Sequence, residues 1–220
     1  MSIDSQGDLA TSHRIAATLK EEILAGKYPP GTRIRQEDIA HQFGASRSPV
    51  REALRMLDAD GLITLVAHTG AWISELSLTQ CEEMYQIRER IEPLYLRLSI
   101  PELTQDQINE LTNLHSAMEK NIEIELFLKL DREFHLLSYS GANTLLLGEM
   151  IHRLWNTTQH YRRAYTKLLA QDGFKSAHFE HFLLLTAISN RDIDDAERVL
   201  YGHIRRTRLE LAHHPSVFSP

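Results

Sequence analysis

Apolar residues recur every third or fourth position along most of this chain, and the places where that rhythm breaks mark out its elements. From Ser12 or His13 to Ala25, the residues Ile15, Leu19 and Ile23 return about once per helical turn and Gly26 closes the pattern. This predicts a first helix preceded by a polar, mobile lead-in over residues 1–10. Ile39, Ala40 and Phe43 predict a short second helix that ends at Gly44. In the next stretch Val50, Leu54 and Leu57 fall on one face of a third helix, while Ser48, Arg51 and Arg55 project from another with Arg47 between them. Ser46 or Ser48 can cap that helix, and Pro49 fits its first turn, where a missing N–H costs nothing.

Two short helices about a Gly-containing turn make a helix-turn-helix. The β-prone runs Leu62-Ile63-Thr64-Leu65-Val66 and Ala71-Trp72-Ile73-Ser74, set around Ala67-His68-Thr69-Gly70, predict a hairpin that serves as its wing. Past Glu75-Leu76-Ser77 only helical spacing remains. Thr79 with Glu82 reads as a capping box ahead of Met84 to Leu98, a helix expected to kink at Pro93. Thr104 with Gln107 repeats the signature before Ile108, Leu111, Leu114 and Met118. A third helix is expected from Ile124 to Ser140, and a long fourth, open to interruption, from Asn143 to Leu169. A fifth is capped by Ser176 and a sixth by Asp192. The predicted fold is mainly α: a lead-in over 1–10, a winged helix-turn-helix domain over 11–76, and an all-α helical bundle of six or seven helices over 77–220.

Composition narrows what such a chain can do. It has 220 residues, 42% of them hydrophobic, with 24 Lys and Arg against 30 Asp and Glu and a net charge of −6. Acids outnumber bases in both halves, so any nucleic-acid footprint must be local. Residues 33 to 55 do concentrate Arg33, Arg35, Arg47, Arg51 and Arg55. The second helix of a helix-turn-helix enters the DNA major groove with its N-terminal side chains on base edges and phosphates. This points to Arg35, Arg47, Ser48 and Arg51 as DNA contacts, with His68 and Gly70 at the wing. The lone cysteine, Cys81, excludes an internal disulfide, and no apolar run suggests export or membrane insertion, so a cytoplasmic protein is expected.

The helical half carries its own chemistry. Asp131 and His135 stand four residues apart and share a helix face beside Phe127, Leu130 and Phe134. His181 and His203 lie in the fifth and sixth helices among apolar neighbours. Three imidazoles and one carboxylate converging from three helices would make an N3O site suited to zinc, nickel, iron or manganese rather than calcium or magnesium. Of the 12 histidines, His115, His152, His160 and His178 are read as ordinary core or surface side chains.

Gly26-Lys27-Tyr28-Pro29-Pro30-Gly31, the run from Ser46 to Leu54, and Asp60-Gly61-Leu62-Ile63 together resemble the GntR family of bacterial transcription regulators. Asp131-Arg132-Glu133-Phe134-His135, then Glu180-His181, then His203 resemble, in order and separation, the metal signature of the FCD effector domain found in FadR-type members. That domain occurs in six- and seven-helix forms. Arg88-Glu89-Arg90-Ile91-Glu92-Pro93 resembles its first helix, where an arginine often faces the cavity and holds an effector carboxylate, which marks Arg88. The alternative for Arg88 is a surface arginine pairing with Glu92.

The resemblance implies a homodimeric repressor that binds a palindromic double-stranded DNA operator and responds to a small carboxylate effector at or near a divalent transition metal. Two rivals stand beside it. One is a regulator that senses an acyl ligand without metal. The other is a helical-bundle metalloenzyme, disfavoured because no general base comes with a motif of its own and no repeated Glu-x-x-His pairs mark a di-iron bundle. No catalytic residues are expected.

Overall fold

The computed structural model describes residues 3–67, 69–120, 123–170 and 173–218, with side chains from Gly7 onward. The chain forms two compact units. One runs to Glu75 and takes in His152–His160, and the other comprises Leu76–Ile151 together with the chain from Tyr161. The contacts group residues 152–160 with the first unit.

In the first unit, helix α1 spans Ile3–Leu24, α2 Gln36–Phe43 and α3 Arg47–Ala59. Helix α1 starts well before Ser12, so residues from Ile3 onward are not an irregular lead-in. A helix extends by one hydrogen bond per residue once a packed turn exists, and Ile15 and Leu19, both fully buried, supply that turn. The apolar periodicity marks only the part of α1 that packs. Gly44 ends α2 in the left-handed conformation at φ 59°, where its N–H reaches the Ala40 and His41 carbonyls. A side chain there would be strained, which explains glycine at the turn.

Ser46 stands at the N-cap of α3 without making the capping bond. Val50, Ala53, Leu54 and Leu57 close over Ile15, Leu19, Ile39 and Ile63 in one core. Each buried Leu or Ile there contributes about 2 kcal/mol. The hairpin forms from β2, Ile63–Val66, and β3, Gly70–Ile73, and a short β1, Arg33–Ile34, adds to the other edge in the order β1-β3-β2. Both pairings are antiparallel, with Leu65 opposite Ala71 and Arg33 opposite Trp72. Ala71 and Ile73 point to the core, as the period of two along a strand requires.

The rest of the chain contributes α4 (Leu78–Ser99), α5 (Gln105–Glu119), α6 (Ile124–Ser138), α7 (Leu147–Thr157), α8 (Gln159–Leu169), α9 (Lys175–Ser189) and α10 (Ile193–Ala212). These are seven α-helices among the described residues. The long fourth helix of the bundle is two, α7 and α8, parted at Thr158.

The cap of α4 is Ser77 with Gln80 rather than Thr79 with Glu82. The two boxes read alike in sequence. Tyr161 decides between them, because its hydroxyl donates to the Leu76 carbonyl at 2.8 Å and accepts from the Leu76 N–H at 2.6 Å, fixing the chain just before Ser77. Thr104 with Gln107 caps α5 and Asp192 caps α10 as expected. Ser176 does not cap α9, which begins at Lys175 after Phe174 in the left-handed region. Helix α4 runs through Pro93 as one element. Leu96 of α4, Leu111 of α5, Phe134 of α6, Leu184 and Ile188 of α9 and Leu200 of α10 are buried and line the interior of the second unit.

Candidate functional site

On the first unit, the apolar face of α3 is buried while Arg47, Ser48, Arg51 and Arg55 are exposed. Arg47 lies 3.3 Å from Glu37 of α2, and Arg55 pairs with Glu52 at 2.9 Å. Arg51 makes no ion pair among the described residues, so its guanidinium is available to a phosphate or a base edge. Arg35 is exposed at the N-cap of α2, and Gly70 opens β3 at φ 116°. His68 lies outside the described residues. Arg33, counted in the arginine cluster but given no role by the sequence, donates through Nη2 to the Thr69 carbonyl at 2.6 Å and rests over the Trp72 ring, bracing the wing against the first edge strand.

In the second unit, α6 presents Asp131 and His135 one turn apart, α9 brings His181 and α10 brings His203. One ligand atom from each of the four lies within 4.8 Å of the others. Asp131 Oδ1 stands 3.0 Å from His181 Nε2 and 3.7 Å from His135 Nε2, and the two Nε2 atoms are 3.2 Å apart. Ligands about 2.1 Å from a common ion are separated by roughly 3.0–3.4 Å in octahedral or tetrahedral arrangement, so this donor set fits a divalent metal. Burial holds the His135 and His181 pKa values well below the ordinary histidine value, and the neighbouring His203 adds to the effect. Both rings are therefore neutral in the fold, the form a metal requires.

Two partners outside the quartet orient it. His203 Nδ1 donates to Glu180 Oε2 at 2.7 Å, leaving Nε2 as its remaining ring nitrogen. Burial pushes the Glu180 carboxyl up, but hydrogen bonds from His203 and Arg206 outweigh it and hold the group below its usual value. The second partner is Arg162 of α8, whose Nη2 donates to Asp131 Oδ2, so the two carboxylate oxygens face different ways. Burial, and next the charge of Arg88, lower Arg162 to about 9, which leaves it protonated at neutral pH. No sequence spacing connects Arg162 with Asp131; α8 alone brings them together.

Arg88 is only 3% exposed, so it is not a surface arginine, although it does pair with Glu92. Glu92 in turn accepts from the Tyr139 hydroxyl at 2.7 Å. Burial favours neutral Arg88, but the charge and hydrogen bond of Glu92 together with the neighbouring Tyr85 and Tyr139 outweigh it and raise its pKa. One turn earlier on α4, Tyr85 is 1% exposed, the Arg88 guanidinium lies 4.9 Å from its ring centre, and its hydroxyl has no hydrogen-bond partner among the described residues. Of the remaining histidines, His115 is buried with Nε2 3.3 Å from the His178 carbonyl, and His178 packs edge-on to Phe127 and Phe174. Neither joins the quartet.

A winged helix-turn-helix with an exposed arginine face, and a second, helical domain with a buried His/Asp cluster, define a DNA-binding regulator. The chain matches the gntR family of bacterial regulatory proteins over residues 11–73 and the FCD domain over residues 83–206. It belongs to the GntR family of transcriptional regulators with an FCD domain, proteins that bind DNA and are not enzymes.

It is 27% identical over 202 residues to the HTH-type transcriptional regulator YdhC of Bacillus subtilis, spanning 89% of this chain and 88% of that one. It is 28% identical over 199 residues to the HTH-type transcriptional repressor RspR of Escherichia coli, spanning 88% and 86%. The solved structure of Escherichia coli McbR/YncC superposes with a TM-score of 0.80 at 24% identity, covering 93% of this chain and 98% of that one, a likeness of fold. No helix among the described residues is long and apolar enough to cross a membrane.

Proposed function

We propose that this protein is a homodimeric transcriptional repressor that reads a palindromic operator with Arg47, Ser48 and Arg51. Its DNA affinity is set by a small organic acid bound at or near a divalent metal. Asp131, His135, His181 and His203 hold the ion, zinc or nickel by preference with iron or manganese as alternatives, and Arg88 stands on the effector side. The observation that carries the metal reading is the meeting of three imidazoles, from three helices, and one carboxylate oxygen within 4.8 Å. That four donor atoms from three helices converge on one point favours this reading over a regulator that senses an acyl ligand without metal.

The bound ion supplies a Lewis-acidic centre with coordination positions left for an acid, and the chain's own residues do the rest. Glu180 and Arg162 fix the orientation of His203 and Asp131, while burial keeps the His135 and His181 rings unprotonated. A homodimer suits a winged helix-turn-helix because each copy reads one half-site and two half-sites repeat about every 34 Å of duplex. The relative RspR, named a repressor, supports the sign of regulation.

The test is operator binding by fluorescence anisotropy with metal-loaded protein, metal-stripped protein and the His181→Ala variant, each with and without a panel of small carboxylates. Loaded protein responds to an acid and the other two do not. An identical response from all three would refute the metal-dependent reading.

A further inference from the structure

The exposed face of α3 carries Arg47, Arg51 and Arg55, and the three are held differently. Arg55 is tied to Glu52 of its own helix, while Arg51 makes no ion pair among the described residues. Arg47 is held from another element: its Nη2 lies 3.3 Å from Oε1 of Glu37, in the first turn of α2. The free protein has little use for this pair. Its side chains are 76% and 63% exposed, so water screens the attraction and the contribution to stability is small. The positive end of the α2 dipole also has Asp38 in the same turn.

The pair gains weight where this surface meets DNA. Phosphates repel a carboxylate, so an acid beside the reading end of α3 weakens binding to every duplex alike. What offsets that loss is discrimination. An arginine free to swing takes a phosphate as readily as a base, whereas one held by a carboxylate keeps its remaining N–H groups in one direction. Those groups suffice for paired bonds to guanine O6 and N7. The second carboxylate oxygen of Glu37 has no partner among the described residues, and it can only accept. In the major groove cytosine presents a lone amino donor, guanine and thymine present acceptors, and adenine sets an acceptor beside its amino group. Cytosine is therefore the base that a carboxylate matches.

We propose that Glu37 is a specificity-determining residue of the DNA surface. It holds Arg47 over a guanine edge and accepts from a cytosine amino group beside it, so that α2 and α3 read the site together. This rests on the placement of Arg47 at the operator proposed above.

Full-length protein first selects its preferred sites from a duplex library randomised over the operator length. Fluorescence anisotropy then measures binding to the selected duplex, to the same duplex changed at single base pairs, and to a scrambled duplex of equal length. Wild type is expected to require a G·C pair at one position of each half-site, and Arg47→Ala to lose that preference about tenfold, within the range of a bidentate base contact. Glu37→Ala is expected to relax the preference at that base pair or its neighbour by about tenfold too. It should also bind the scrambled duplex at least about twofold tighter, because a negative charge has left the surface. Glu37→Gln, which donates as well as accepts, is expected to admit adenine in place of cytosine. Melting temperatures should stay at the wild-type value, since both side chains are exposed.

Base preferences unchanged in both Glu37 variants overturn the proposal, as does a uniform loss in Glu37→Ala for all duplexes, the mark of a merely structural role. If Arg47→Ala keeps the wild-type site and affinity, the placement of Arg47 falls and this inference with it. Loss of base preference in Arg47→Ala but not in Glu37→Ala overturns this inference alone.

Discussion

Replacing Glu180 by Gln tests whether the His/Asp cluster is built to hold metal or is only packed. The two side chains have nearly the same volume, so the packing of α9 against α10 is preserved. What changes is the charge 2.7 Å from His203 Nδ1. In the native protein an ionised carboxylate accepts that N–H, fixes the ring tautomer and makes the opposite nitrogen more basic; a glutamine carbonyl accepts only as a neutral group. Charge-assisted hydrogen bonds are roughly twice as strong as neutral ones, and loss of such an outer partner costs metal sites about 10- to 100-fold in affinity. Because His203 is one of four ligands and Gln still offers an acceptor, we expect the lower end, about tenfold or ~1.4 kcal/mol.

The assay is competition against a chromophoric chelator at pH 7.5, with melting of the metal-free protein as a check on folding. Arg206→Gln is the control: it removes the other partner of Glu180 but leaves the His203 contact, and its side chain is 54% exposed, so it should change affinity little. Unchanged metal affinity in Glu180→Gln, or an equal loss in Arg206→Gln, would refute the argument that this carboxylate orients a ligand.

Three further outcomes follow from the same residues. Arg51→Ala should weaken operator binding about tenfold, or lower the salt slope by about 0.9 if its contact is a phosphate, while leaving the melting temperature unchanged because the side chain is exposed; unaltered binding would remove Arg51 from the DNA surface. Chelation should lower the melting temperature by about 5–10 °C, since saturation at one hundred times Kd contributes about 2.7 kcal/mol. The exposed His213→Ala should respond like wild type, whereas His181→Ala should melt alike with and without chelator. In metal-free protein, His135 and His181 have folded pKa values below the unfolded value of about 6.5, so the unfolded chain binds more protons in acid. Their contribution is fully present above that pH and is lost as pH falls below it, by up to about 1.4 kcal/mol per unit for each histidine; denaturation midpoints that stay flat between pH 7.5 and 5.5 would contradict this.

The sequence by itself determined the elements whose signals are local. Val50, Leu54 and Leu57 on one face and Arg47, Ser48 and Arg51 on another defined α3 and its exposed cationic side, because a helix of 3.6 residues per turn allows no other grouping. Gly44 marked its turn, the four-residue step from Asp131 to His135 placed two donors on one face of α6, and the resemblance to the FCD metal signature pointed to His181 and His203.

Tertiary structure alone decided the rest. Thr79 and Ser77 offered equal capping boxes until Tyr161 fixed Leu76, and α1 reached back to Ile3 because helix propagation needs no apolar signal. The link from Arg162 to Asp131 crosses 31 positions and that from Tyr139 to Glu92 crosses 47. No periodicity spans such separations: a periodic pattern reports which face of a helix is buried, and only the packing of helices reports which charges meet there.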